Sequence, residues 1–320
     1  MHHIISDGTS MNIMSDTISR AYSGEDVAPE KFSGYEVSLK EQEDRSGESL
    51  AKAREYYDNL LAGFDRDFLP KGDMYHPDPS ADGLFVFEGA PIVDKAEKIC
   101  EQTGTTVNGL ICSAFGFNLA RYNGSDHVIF TTVYNGRSDS RTVNSVSMFV
   151  KTIPVLCNIA DESVPPMDLT KEIGKQLVDS MGNDIYSFAE ISRELEVKPD
   201  VMIVYQGDDF EFQDFCGKHS DSIQLRLSGE KEPILFQMAK EGDHFKYYVE
   251  YDKDRFSGEF MGYFTRAVDE TISEFITCSS LKEICVTDER TMDVVRKMND
   301  TDAPFDKGVT VVDMFRKQAK

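Results

Sequence analysis

Near its start the chain reads His2-His3-Ile4-Ile5-Ser6-Asp7-Gly8. Two imidazoles, a carboxylate and an adjacent glycine are groups that move protons and accommodate developing charge. In an extended stretch neighbouring side chains point to opposite sides, so one histidine can face a reacting group while the other packs. An imidazole titrates near neutrality and suits proton transfer. Met11, Ile13, Met14 and Ile18 fall at helical spacing after Gly8, which predicts a helix capped by Thr9 or Ser10 and ended by Ser23-Gly24. A helix start offers free backbone N–H groups and partial positive charge, making the Gly8 N–H a candidate donor to an oxyanion. Two plainer readings stand beside this one: the remnant of a purification tag, or two ordinary surface histidines. Zinc is disfavoured, because adjacent histidines rarely converge on one ion and no third ligand cluster is evident.

The elements that must position these groups are legible from periodicity. Residues 24–47 are polar and read as a connector, followed by a helix over 48–61 and a proline-broken loop. From Gly83 strands alternate with helices. Strands are predicted at 83–88, 127–134, 149–159, 201–205, 222–228 and 233–240. Phe245, Tyr247, Val249 and Tyr251 alternate with Lys246, Tyr248 and Glu250 in the second arm of a hairpin turning at Glu241-Gly242-Asp243. Helices are predicted at 91–102, 106–122, 167–181, 188–195 and 257–276. This order fits an α/β sandwich with a mixed sheet better than a doubly wound parallel one. No phosphate-binding glycine fingerprint and no internal repeat occurs.

Composition narrows the partners. Asp and Glu number 57 against 34 Lys and Arg, a formal charge of −23, which disfavours nucleic acid and anionic membrane surfaces. No apolar run approaches the roughly eighteen residues of a membrane span. The N-terminal residues do not form a secretory signal, so a cytoplasmic location is expected. Cys100, Cys112, Cys157, Cys216, Cys278 and Cys285 show no CxxC pair and read as isolated, mostly core residues.

Residues 2–8 resemble the HHxxxDG signature of condensation domains in nonribosomal peptide synthetases. Further segments match that family in order. Tyr134-Asn-Gly-Arg137 is similar to its SGR-type turn, and Val146-Ser-Met-Phe-Val-Lys-Thr152 to its GxFVNT segment, with Lys151 where Asn is usual. Asn183–Glu190 resembles its HQDYPFE stretch, Pro199–Gln206 the strand that follows, and Tyr251–Phe256 its YDxDLF segment. Thr287–Arg290, Met298–Thr301 and Val309–Ala319 resemble the linker into an adenylation domain, which favours condensation over epimerisation. The family's YxDFAVW segment is weak at Tyr35–Leu39, its RDxSRNP segment is reduced at Ser192–Pro199, and the DFGWG motif of related soluble acyltransferases is absent.

The resemblance implies one lobe of a two-lobe unit, a chloramphenicol-acetyltransferase-like two-layer sandwich of mixed sheet with flanking helices. Residues 1–82 are then the end of an N-terminal lobe with the motif helix and connector, 83–279 the C-terminal lobe, and 280–320 a linker and the start of an adenylation domain. The implied activity is that of an acyltransferase forming an amide bond between a carrier-tethered acyl or peptidyl donor and an aminoacyl acceptor. His3 is implied as the residue that orients the amine and takes its proton. His2 supports the motif, Asp7 pairs with Arg137 to fix the turn, and Gly8 donates to the oxyanion; Asp7 as a simple helix N-cap is the competing reading. No cofactor or metal is expected on this domain. The phosphopantetheine arm belongs to carrier domains upstream and downstream, with an adenylation domain in cis. Residues 137–150 would floor the channel and 206–221 reach toward the other lobe, leaving Phe210, Phe212 and Phe215 as an exposed patch. Without the N-terminal lobe the isolated chain is expected not to turn over. A docking module without chemistry and a free-standing CoA-dependent acyltransferase are the alternatives.

Overall fold

The computed structural model describes residues 3–45, 47–66, 68–74, 76, 81–137, 140–198, 200–207, 233–287, 289–302 and 308–319. His2, Pro199, the aromatic segment after Gly207 with Phe210, Phe212, Phe215 and Cys216, and the strand predicted at 222–228 lie outside the described residues. Residues Met1–Val286 form one unit and Thr287–Lys320 a second.

Alternation in the sequence builds the sheet of the first unit. Strands β1 (Leu84–Pro91), β2 (His127–Tyr134), β3 (Lys151–Asn158), β4 (Val201–Tyr205), β5 (Ile234–Glu241) and β6 (His244–Tyr251) pair in the order β1-β6-β5-β4-β2-β3. β4 runs parallel to both β2 and β5, and the other pairs are antiparallel. On β6 Phe245, Tyr247, Val249 and Tyr251 are buried, and register places Phe236 against Val249 and Met238 against Tyr247. These residues form one apolar face. The hairpin turn needs a left-handed residue, and Gly242 (φ 62°) supplies it.

Helices cover that face. They are α4 (Val93–Thr103), α5 (Val107–Asn123) and α8 (Gly258–Phe275), with α6 (Pro166–Gly182) and α7 (Phe188–Leu195) toward β3. α5 is buried on every side from Gly109 to Ala120, as its nearly all-apolar sequence requires of a central helix. Its Phe115 ring packs against Phe130, Phe236 and Phe264, at centroid distances of 5.3, 5.1 and 5.7 Å. Strand β3 is an edge. The buried Gln176 side chain of α6 behaves toward it like a strand: its Oε1 accepts from Leu156 N at 2.7 Å and its Nε2 donates to Leu156 O at 3.0 Å. α7 ends on Glu196, which holds φ 58°, a left-handed position more often given to glycine.

The opposite edge carries an irregularity between Glu88 and Pro91. There the buried Asp269 of α8 accepts from Ala90 N at 3.0 Å and from the Tyr247 hydroxyl at 2.7 Å. Burial pushes the Asp269 carboxyl above its ordinary range, although both hydrogen bonds oppose that shift. Cys100, Cys112 and Cys157 are buried, Cys278 is half-buried and Cys285 exposed. Burial pushes the Cys112 thiol up to about 12.

Two local readings are corrected. The first helix, α1 (Gly8–Tyr22), is capped by Asp7 and not by Thr9 or Ser10, because the Asp7 carboxylate reaches the Ser10 N–H. The connector at 24–47 contains a helix, α2 (Gly34–Asp44), started by a capping box between Ser33 and Glu36. It buries only Gly34, so it carries almost no apolar periodicity for the sequence to display. α3 (Glu48–Leu60) follows and buries Ala53 and Tyr57. The second unit holds α9 (Glu289–Asn299) and α10 (Val311–Gln318), the latter capped by Thr310 and Asp313. No described helix is long and apolar enough to cross a membrane.

Candidate functional site

The N-terminus of α1 is anchored by a buried carboxylate. Asp7 has extended backbone geometry (φ −118°) and is 2% exposed. Its Oδ1 accepts from Ser10 N at 2.8 Å, from Ser10 Oγ at 2.7 Å and from Arg137 Nη2 at 2.8 Å, and its Oδ2 accepts from Phe149 N at 3.0 Å. Burial alone would raise this carboxyl, but the donors from Ser10, Phe149 and Arg137 outweigh it and hold Asp7 below the usual carboxylate range. Asp7 is therefore both the N-cap and one half of an ion pair.

Arg137 follows β2 on a tight turn. Gly136 precedes it at φ 64°, and a Cβ there would collide with the Phe149 carbonyl, so glycine is required. The guanidinium, on a side chain only 4% exposed, donates from Nη1 to Thr142 O and to Ser145 O at 2.8 Å. It lies over the Phe149 ring, 4.7 Å from the centroid. Ser10 Oγ joins the parts. It accepts from Arg137 Nη2 at 3.0 Å and Ser147 N at 3.1 Å, and its one proton serves either Asp7 or Ser147 O at 2.8 Å. The result is a hydrogen-bonded junction that ties the start of α1 to Arg137, Ser147 and Phe149.

The structure thus brings Asp7 and Arg137 together across 130 residues. His3 opens a single 3-10 turn, His3–Ile5, and is exposed. The stretch is not extended at that point, so alternation does not set the direction of the His3 ring. Gly8 is exposed at the first position of α1, and nothing lies within 4 Å of where its Cβ would be. His3 and Gly8, both exposed, lie on either side of the buried Asp7 in the chain.

Sequence reasoning passed over the role of Ser10, although it lies three residues from Asp7, the spacing of an N-cap partner. It also passed over a polar cluster at the other end of the loop. Tyr134 and Lys151 are cross-strand partners where β2 and β3 open into the loop. Lys151 Nζ pairs with Glu41 at 2.5 Å and Asp184 at 3.1 Å, and the Tyr134 hydroxyl donates to Asp184. Nearby, Arg45 pairs with Glu190 at 2.5 Å and donates to Ile185 O at 2.8 Å, and this guanidinium lowers the Glu190 carboxyl to about 2. Among the described residues no group of three or more His, Cys, Asp or Glu side chains is arranged to hold a metal ion.

A mixed six-stranded sheet with helices against it, and an HHxxxDG stretch whose aspartate is buried on an arginine, define a chloramphenicol-acetyltransferase-like lobe. Solved structures of that class superpose on it. A four-domain nonribosomal peptide synthetase bound to AMP and glycine matches with a TM-score of 0.73 at 17% identity, covering 90% of this chain and 24% of the other. The first condensation domain of the calcium-dependent antibiotic synthetase matches with a TM-score of 0.68 at 13% identity, over 89% of this chain and 65% of the other. The condensation-domain family model matches residues 1–293, and the chain belongs to that family. Surfactin synthase subunit 1 of Bacillus subtilis (strain 168) and gramicidin S synthase 2 of Brevibacillus brevis are each 24% identical over the whole chain. The chain spans 9% and 8% of the length of these two relatives.

Proposed function

We propose that this chain is the condensing part of a nonribosomal peptide synthetase, joining an aminoacyl thioester to an upstream acyl or peptidyl thioester. Both substrates arrive on phosphopantetheine arms of carrier domains, and an adenylation domain in cis supplies the acceptor. The observation that carries the reading is the Asp7 junction: a carboxylate and guanidinium spent wholly on structure, holding the exposed His3 and Gly8 at one helix start.

The chemistry asks little of the protein. An α-amine has a pKa of about 7.7–8, so part of it is already neutral near pH 7. His3 accepts a hydrogen bond from the amine and orients it toward the thioester carbonyl carbon. As the C–N bond forms, the nitrogen loses its proton to His3. The carbonyl oxygen gathers negative charge, which the Gly8 N–H at the start of α1 stabilises. The tetrahedral species then collapses, the C–S bond breaks, and the leaving thiolate takes the proton from His3. Asp7 and Arg137 do no chemistry; they aim the helix start, and His2 supports the motif.

The solved condensation domain is about half as long again as this chain's match to it. We infer that the remainder, the N-terminal lobe, forms the opposite wall of the channel, and that residues 1–320 alone do not turn over. A boundary near residue 82 between lobe remnant and C-terminal lobe, and one near residue 280 before the adenylation linker, belong to this reading. The protein works in the cytoplasm.

The fold is also that of the teicoplanin X-domain, solved in a complex with OxyB, which matches with a TM-score of 0.73 at 14% identity. That likeness supports a second reading, a docking module without chemistry. Turnover by a lobe-complete synthetase, with carrier-bound donor and acceptor, separates the two. Condensation predicts that His3→Ala abolishes amide formation while carrier binding persists. Full turnover by His3→Ala would overturn it, as would wild-type synthetase that binds carriers and forms no amide.

A further inference from the structure

We propose that residues 30–45 are an electrostatic strap that holds the loop beneath the Asp7–Arg137 pair, and that Lys151 is the positioning residue that fastens it. The strap meets the loop at three points and the flanking elements β3 and α7 at two more. Glu30 Oε1 accepts from Val146 N at 2.7 Å, and the Ser145 hydroxyl donates to Phe32 O at 2.5 Å. Gly34 lies so close to Ser147 that any Cβ would strike its side chain. Glu41 then reaches Lys151 at 2.5 Å, and Arg45 reaches Glu190. The strapped residues are those that complete the site: Ser147 N binds Ser10, Ser145 O receives Arg137, and Phe149 N binds Asp7.

What holds the strap is charge, because α2 has almost nothing apolar to bury. Tyr35 and Leu39 are 71% and 42% exposed, and only Val37 between them is half-buried. Lys151 is the cation shared between Glu41 on the strap and Asp184 on the body of the lobe. An uncharged side chain at 151 would leave two carboxylates facing each other across the gap. That arrangement repels the strap as well as releasing it. Since the Lys151 and Glu41 side chains are 27% and 40% exposed, salt reaches this link. At 1 M salt the screening length falls to about 3 Å, comparable with the ion-pair distances themselves.

Hydrogen exchange on the 320-residue chain tests this directly, read at Val146, Ser147 and Phe149 and referenced to the amides of α5. Lys151→Met should speed exchange at those three by about three- to fivefold, the range that a half-exposed ion pair supports, and leave α5 unchanged. Glu41→Gln and 1 M NaCl should act at the same three amides, and Lys151→Arg should restore protection. Unchanged exchange in Lys151→Met, or acceleration that spreads into α5, overturns the strap. The effect on turnover rests on the condensation reading. In a lobe-complete synthetase Lys151→Met should lower kcat by a similar factor with KM held, and Lys151→Arg should rescue it. A His3→Ala enzyme that still turns over would defeat that reading and leave the exchange result standing.

Discussion

Replacing Asp7 by Ala removes the acceptor of four hydrogen bonds, from Ser10 N, Ser10 Oγ, Arg137 Nη2 and Phe149 N. It also strands a guanidinium whose side chain is 4% exposed among neutral carbonyls. Loss of an N-cap alone costs about 0.5–2 kcal/mol. Breaking a buried ion pair by deleting one member costs about 3–5 kcal/mol, a large part of the 5–15 kcal/mol that holds a typical domain together. Urea unfolding of the chain at pH 7, followed by circular dichroism, measures the difference for Asp7→Ala, Arg137→Met and the double variant. The ion-pair argument expects both single losses in the upper range and a coupling of at least about 1 kcal/mol. A cap-only role expects Arg137→Met to be nearly neutral and the coupling to vanish, and that result would refute the reasoning. The pH dependence has a fixed sign. Asp7 is held below its unfolded value, so the unfolded chain binds more protons in acid. Its stabilisation is complete above the unfolded value of about 3.9 and fades as pH falls through the lower folded one. Asp7→Asn should flatten that acid limb.

Asp269 should behave in the opposite sense. Its carboxyl is raised by burial, so its contribution is most favourable in acid and declines as pH climbs from the ordinary carboxylate value through the raised one. Asp269→Asn should remove that decline in pH-dependent unfolding at little cost, whereas Asp269→Ala strands Ala90 N–H and the Tyr247 hydroxyl and should cost about 1–3 kcal/mol. Gln176→Ala exposes the edge of β3 by deleting both bonds to Leu156, and denaturation should show a loss of about 1–3 kcal/mol, with light scattering reporting association. Glu196→Gly relieves a left-handed residue and should leave thermal stability equal or higher by up to about 1 kcal/mol; a clear loss would show that the Glu196 side chain matters more than its backbone.

Where apolar side chains repeat at the period of their element, the fold was legible. Phe245, Tyr247, Val249 and Tyr251 are the buried face of β6, as their alternation requires, and the predicted bounds of β2, β4 and α7 match the structure. α2 was illegible for the converse reason, since a helix held by Glu41, Arg45 and a glycine contact has no apolar stripe. The site divides the same way. HHxxxDG is a local pattern and was readable. Ser10 and the Phe149 N–H take their meaning from partners about 140 residues away, and no spacing rule places those. In the sequence Lys151 stands out only as a departure from the family pattern; its ion pairs with Glu41 and Asp184 are products of the folded chain.

Strand order also governs when this lobe can exist at all during synthesis. β1 ends at Pro91, yet β6, with which it pairs, does not begin until His244, about 150 residues later. At roughly 5–20 residues per second a ribosome needs about 8–30 s to make that stretch. β2 and β3 are adjacent and can pair long before then. For that interval Leu84, Phe85, Val86 and Phe87 are a strand without its neighbour, on a nascent chain that must await the last hairpin to close the sheet. Protease protection of ribosome-bound chains should therefore appear at β2–β3 first and at residues 84–91 only after residue 251 has emerged.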